Sequence, residues 1–199
     1  MRIGGFVKQS LIDWDGKICA VIFTKGCNFR CDYCHNKHLV FPSLYNKNID
    51  IDPEFIIQHL VTRSIWLDGV VITGGEPTIQ EDLPDFIRSI KNLGLKVKLD
   101  TNGSNPEMLK SLLSLKLPDY IAMDIKTIFN PVSYGAIIGF EDITICNKVD
   151  TSLKILEESG IPFELRTTII PGYHSVEVQD YLKLKFSQYN YKFQEFRDF

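Results

Sequence analysis

The sequence predicts an α/β fold, a partial (β/α)6 TIM-like barrel of parallel strands with outer helices, on three observations. Short apolar, β-branched runs alternate along the chain with amphipathic stretches of helical spacing. The alternation repeats six times, too few for an eightfold barrel. Polar, glycine-rich clusters follow the first four strand-like runs directly, at 25–38, 74–77, 100–103 and 124–126. In a barrel of parallel strands these loops share one face, the face on which such folds carry their chemistry.

Each element has its own local reason. Ile18 to Phe23 is a continuous apolar run and the first expected strand. Asp52-Pro53-Glu54 opens a helix, with a side-chain cap and proline at the first helical position. Gly69 to Thr73 is the second strand. Leu83, Phe86, Ile87, Ile90 and Leu93 then recur at helical spacing, and Gly94 supplies the stop. Lys96 to Asp100 is the third strand, and Asn105-Pro106-Glu107 opens a helix with Leu109, Leu112 and Leu113 on one face. Tyr120 to Asp124 is the fourth strand, followed by a less regular stretch. A helix with Val149, Leu153 and Leu156 inward ends at Gly160. Phe163 to Ile170 is the fifth strand, Ser175 caps a last helix, and Tyr191 to Phe196 is the sixth strand. A chain of 199 residues suits one such domain over 1–199.

Composition narrows the class. With 44% hydrophobic and 24% charged residues the chain reads as a soluble globular protein. A formal charge of -3 carries no basic surplus, so no nucleic-acid partner is expected. No signal-peptide pattern or membrane-length apolar run is present, which points to a cytoplasmic protein. In that reducing compartment the five cysteines are not read as disulfides. Cys19 and Cys146 stand apart and read as small buried core residues.

The other three form Cys27-Asn28-Phe29-Arg30-Cys31-Asp32-Tyr33-Cys34, a CxxxCxxC loop. Thiolates hold iron–sulfur clusters, one ligand per iron in a cubane. Three cysteines on one loop therefore leave the fourth iron of a [4Fe-4S] cluster open for a small molecule to chelate. The competing reading is structural zinc with His35 or His38 as fourth ligand. Such sites usually pair ligands across a longer stretch, and no second CxxC exists here.

With Tyr33 before its last cysteine, this loop resembles that of the radical S-adenosylmethionine superfamily. Together with Cys34-His35-Asn36, Gly74-Gly75-Glu76-Pro77, Asp100-Thr101-Asn102-Gly103 and Asp124-Ile125-Lys126, it is similar to the glycyl-radical-enzyme activating enzymes. Among these it looks most like activators of anaerobic ribonucleoside-triphosphate reductase, with pyruvate formate-lyase activating enzyme a near relative. The resemblance implies a [4Fe-4S] cluster on Cys27, Cys31 and Cys34, and S-adenosylmethionine as co-substrate. It also implies reductive cleavage fed by an external electron donor such as flavodoxin or ferredoxin, and a glycyl radical enzyme as protein substrate. No general base or nucleophile is required, and no membrane partner.

The resemblance extends to individual residues. Gly74, Gly75, Glu76 and Pro77 are expected to meet the methionine amino group, the two glycines letting a backbone approach the ligand; an ordinary turn is the alternative. Tyr33, Asn102, Asp124, Lys126 and Arg166 complete the expected cofactor-binding set. Asp100 and Asp124 match aspartates that hold a monovalent cation in relatives, against the alternative of a strand-end cap or a salt bridge to Lys126. Arg166, with Pro171-Gly172 following, sits in an apolar strand and needs an anion: the cofactor carboxylate, or Glu164 or another side chain. Asp13 falls where relatives place an aspartate near the peptide substrate. They commonly carry Pro-Gly where this chain has Asp15-Gly16, and a solvated turn is the alternative. His59 and His174 are given no catalytic role. Two other functions remain open: a radical enzyme acting on a small molecule such as a deazapurine precursor, and a noncatalytic metal-binding interaction module.

Overall fold

The first apolar run becomes the second strand of the sheet, not the first. A computed structural model describes residues 1–45 and 50–196. Its single sheet has seven strands in chain order: β1 (Ile3–Ser10), β2 (Cys19–Thr24), β3 (Gly69–Gly74), β4 (Lys96–Thr101), β5 (Tyr120–Asp124), β6 (Phe163–Ile169) and β7 (Tyr191–Glu195). Strands β2 to β7 pair in parallel and match the six expected strands to within a residue or two. The addition is β1, which pairs antiparallel with β2. Its sequence, IGGFVKQS, lacks the apolar run that marks a strand buried on both faces, and every residue after Ile3 is half-buried or exposed. The sheet does not close, and β1 and β7 are its two edges.

Helices occupy the crossovers: α1 (Lys37–Val40), α2 (Pro53–Arg63), α3 (Leu83–Lys91), α4 (Pro106–Ser114), α5 (Pro131–Ile138), α6 (Ile145–Ser159) and α7 (Val176–Lys185). The expected caps form, with Asp52 accepting from the Glu54 N–H, Asn105 from Met108 and Ser175 from Val178. The less regular stretch after β5 contains α5, which uses the same device: Asn130 accepts from the Ser133 N–H, Pro131 follows, and Gly139 ends the helix at φ 83°.

Two apolar layers result. Outside the sheet, Ile22, Ile72, Leu99, Ile121 and Leu165 pack under helix residues such as Leu83, Ile87, Ile90 and Leu109. Each fully buried side chain of this kind contributes about 1.5–3 kcal/mol relative to exposure. Inside the curve of the sheet, Cys19, Val21 and Val71 meet Trp14, from the loop joining β1 to β2. That loop floors the barrel. Lys98 Nζ donates to the Asp13 carbonyl at 2.8 Å, and Lys192 of β7 reaches Asp15 at 3.0 Å. Cys146, on α6, is buried like Cys19.

Candidate functional site

At the opposite end of the strands a cavity of about 400 Å³ is lined by residues from all four polar clusters. The three cysteines reach it from one loop, which is tied down at many points. Gly26 donates its N–H to the Leu39 carbonyl at 2.8 Å, and Arg30 donates its own to Ile138 at 2.7 Å. The Arg30 guanidinium donates to the Phe29 carbonyl at 2.7 Å and also to that of Cys27. A Cβ on Gly139 would stand 2.4 Å from the Arg30 carbonyl oxygen, so the end of α5 is shaped to receive the loop.

The Gly-Gly pair also admits backbone from within the chain. A Cβ on Gly75 would lie 1.8 Å from the Gly26 carbonyl oxygen, and one on Gly74 would lie 2.5 Å from the Thr24 nitrogen. The backbone approaching these glycines is the start of the cysteine loop itself. Gly75 N–H donates to Thr24 O at 2.9 Å and Glu76 N–H to Gly26 O at 2.8 Å, fastening the loop one residue before Cys27. Gly74 and Gly75 still line the cavity, and the Gly74 carbonyl accepts from Asn36 Nδ2 at 3.2 Å.

Glu76 is 1% exposed. Its Oε1 accepts from the Thr78 N–H (3.1 Å), the Thr78 hydroxyl (2.6 Å) and the Thr101 hydroxyl (2.7 Å), and its Oε2 from the Asn102 N–H (2.7 Å). The carboxylate clamps the end of β4 to the turn after β3. It also orders the Asn102 backbone. Pro77 is buried at the first position of that turn. Asn102 in turn donates to Asn28 Oδ1 at 3.0 Å and stands 4.0 Å from Cys27 Sγ, while Asn28 donates to Ser104 at 2.6 Å.

A charged row crosses the cavity floor. Arg166 Nε donates to Asp124 Oδ1 at 2.9 Å and its Nη1 to Asp100 Oδ2 at 3.3 Å, while Lys126 Nζ meets Asp124 Oδ2 at 3.1 Å. Arg166 therefore bridges the two aspartates. Glu164 pairs instead with Lys98 (3.6 Å) and Lys192 (2.9 Å). Burial works to raise the Asp124 pKa, but Arg166 and Lys126 outweigh it and bring the carboxyl down to about 2. Burial works to lower that of Lys126, and Asp124, Tyr33 and Cys31 hold it well above the ordinary lysine value. Asp100 Oδ1 is buried and accepts no hydrogen bond among the described residues.

Burial pushes the Cys27 thiol up to about 12, with the Glu76 charge adding to it, and pushes Cys31 and Tyr33 up as well. Neutral thiols are thus favoured until a cation or cluster takes their place as partner. Cys27, Cys31 and Cys34 line one cavity from one loop, a donor set that fits a cluster taking one thiolate per iron. His35 lines the cavity and stacks on Phe196, with centroids 5.6 Å apart, whereas His38 is exposed on α1 and lines no part of it.

Asp13 lines the cavity from the floor loop, its carboxylate taking the Ser10 hydroxyl. Three supporting residues escaped the sequence reading. The Tyr134 hydroxyl accepts the Lys126 N–H at 3.1 Å, and His174 Nε2 meets the Lys126 carbonyl at 2.9 Å while its Nδ1 accepts the Ile170 N–H at 3.0 Å. Ser104 is the third. None lies in a motif, and only their partners in space mark them.

Residues 21–184 match the Radical SAM superfamily. The chain is 35% identical over 170 residues to a Methanocaldococcus jannaschii protein assigned as a glycyl-radical enzyme activating enzyme, MJ1227, covering 85% of this chain and 68% of that protein. It is 30% identical over 179 residues to the pyruvate formate-lyase-activating enzyme of Clostridium pasteurianum, covering 85% and 69%. A protein of Thermococcus kodakarensis assigned as a GTP 3′,8-cyclase is 26% identical, covering 80% of this chain and 50% of that one. Among solved structures the fold resembles native anSMEcpe with bound AdoMet, at a TM-score of 0.60 and 19% identity, covering 87% of this chain and 50% of that one.

Proposed function

The chain belongs to the radical SAM superfamily, and from that premise we propose that it is an activase, one that generates a glycyl radical on a partner enzyme, anaerobic ribonucleoside-triphosphate reductase. The observation that carries this is the convergence of Cys27, Cys31, Cys34, Asn102, Asp124, Lys126 and Arg166 on one cavity at the strand ends. The family's [4Fe-4S] cluster and S-adenosylmethionine supply a one-electron reductive cleavage that ends with a hydrogen atom taken from a glycine α-carbon. The electron would come from flavodoxin or ferredoxin.

The chain's own residues bind, orient and exclude. Cys27, Cys31 and Cys34 would hold three irons, with Asn102 beside Cys27. Lys126 and Arg166 would meet the cofactor carboxylate, with Asp124 keeping both cations in place between turnovers. Tyr33, which lines the cavity, would border the cofactor. Glu76 acts through Asn102, and Gly74, Gly75 and Pro77 act by holding the loop in register. A monovalent cation at Asp100 and Asp124 would use Asp100 Oδ1, which accepts no hydrogen bond among the described residues and has Lys98 Nζ at 3.8 Å, or an oxygen yielded by Arg166. Asp13, at the floor, would face the peptide substrate.

No helix among the described residues is long and apolar enough to cross a membrane. Assignment to the cytoplasm and action as one domain belong to this proposal. The test is anaerobic reconstitution with iron and sulfide, then reduction with S-adenosylmethionine present. Deoxyadenosine is expected, and is expected to vanish in Cys31→Ala. The reductase should then acquire a glycyl radical signal by electron paramagnetic resonance. A protein that takes up zinc and never cleaves the cofactor would refute the reading. The likeness to a GTP cyclase favours a second one, radical chemistry on a small molecule, which stimulation by GTP instead of the reductase would reveal.

A further inference from the structure

The last strand of the unclosed barrel runs beside the cysteine cavity with one edge unpaired. Leu165 N–H donates to the Asn190 carbonyl at 2.9 Å, and the register sets Thr167 opposite Phe193 and Ile169 opposite Glu195. In a parallel ladder the groups facing β6 then come from Asn190, Lys192 and Gln194. The N–H and C=O of Tyr191, Phe193 and Glu195 turn outward. Among the described residues no strand takes them.

This edge borders an opening. A second cavity, of about 570 Å³, is lined by His35, Thr168, Phe193, Gln194 and Glu195. It shares His35, Thr168 and Gln194 with the cysteine cavity, so the two adjoin. The opening is framed at the barrel floor by the Lys192–Asp15 ion pair and at the other end by Phe196 stacked on His35. The opposite sheet edge, β1, contributes no residue to either cavity.

We propose that the outer edge of β7 receives an extended, glycine-containing segment of the protein substrate as an added strand. The proposal rests on the activase reading above. An added strand turns alternate residues inward, and β7, with five residues, offers about 16 Å of edge. A glycine at an inward position presents to the cavity the α-hydrogen that stands where a side chain would be. Strand addition also binds main chain, which suits a target that is itself a backbone carbon.

The test uses the reconstituted protein and a nine-residue peptide copied from the glycyl-radical segment of an anaerobic ribonucleotide reductase, glycine at its centre. A series of analogues each carries one N-methylated amide. Hydrogen exchange at the Phe193 and Glu195 amides should slow on adding peptide, while Lys192 and Gln194 stay as they were. N-methylation should raise the KM for peptide-stimulated deoxyadenosine formation roughly five-fold at every second amide, the loss of one hydrogen bond, and leave the amides between unaffected. Peptide stimulation indifferent to N-methylation, or without slowing at β7, overturns the proposal. So does slowing that follows protein concentration without peptide, since a second copy of the chain then covers the edge. If no deoxyadenosine forms under any condition, the activase reading fails, and the exchange experiment still decides the fate of the edge.

Discussion

Replacing Gly75 by alanine probes how the turn after β3 sets the position of the cysteine loop. The new Cβ would sit 1.8 Å from the Gly26 carbonyl oxygen and 2.7 Å from its carbon, both backbone atoms. Relief to beyond 3.0 Å takes a shift of over an ångström. Two hydrogen bonds fail with it, Glu76 N–H to Gly26 O and Gly75 N–H to Thr24 O. Overpacking costs about 1–3 kcal/mol, and the two bonds add about 1 kcal/mol each. About 4 kcal/mol in a chain of this length lowers Tm by roughly 8–16 °C. The shift falls one residue before Cys27, so iron retention should drop further than stability alone dictates. Thermal melts of the metal-free protein, with iron and sulfide counted after reconstitution, measure the two effects separately. Gly16→Ala is the control: its φ is also positive, at 70°, but nothing stands within 4 Å of its Cβ. If Gly75→Ala melted with wild type and kept its full iron, the close approach would not be what positions the loop.

Glu76→Gln should lower the urea midpoint by an amount equivalent to about 2 kcal/mol, because an amide can no longer accept from all four donors around it; an unchanged midpoint contradicts the clamp. Arg166→Leu removes the cation that Asp100 and Asp124 share, leaving Asp124 with Lys126 at 3.1 Å and Asp100 with Lys98 at 3.8 Å, and a loss of about 3 kcal/mol at most is expected in chemical denaturation; an unchanged midpoint contradicts the bridge. Burial holds the His174 pKa below its ordinary value. Its stabilising share is therefore complete above about pH 6.5 and is lost as pH falls through the lowered pKa. Wild type should lose more stability than His174→Gln between pH 7.5 and 5, and parallel curves would show that the ring takes no part.

Much of this was legible in one dimension. Strands β2 and β3 are buried along most of their length and so read as continuous apolar runs, while proline and asparagine at helix starts announce themselves by local chemistry. The CxxxCxxC spacing alone limits what the loop can bind. What failed were elements whose signal is shared with another strand or loop. β1 is half-buried or exposed over most of its length and carries little pattern, and α5 lies in the stretch read only as less regular. The space beside Gly75 is filled by Gly26, which is distant in sequence and adjacent in space, and Glu76 accepts four hydrogen bonds that its place in the motif does not announce. Residue types and spacing along the chain determined which chemistry was available. Only the tertiary structure decided which of Asp100, Asp124 and Glu164 answers Arg166, and that His174 stands behind Lys126. Hydrogen bonds and ion pairs are chosen by distances of a few ångströms, and those distances exist only once the strands lie side by side.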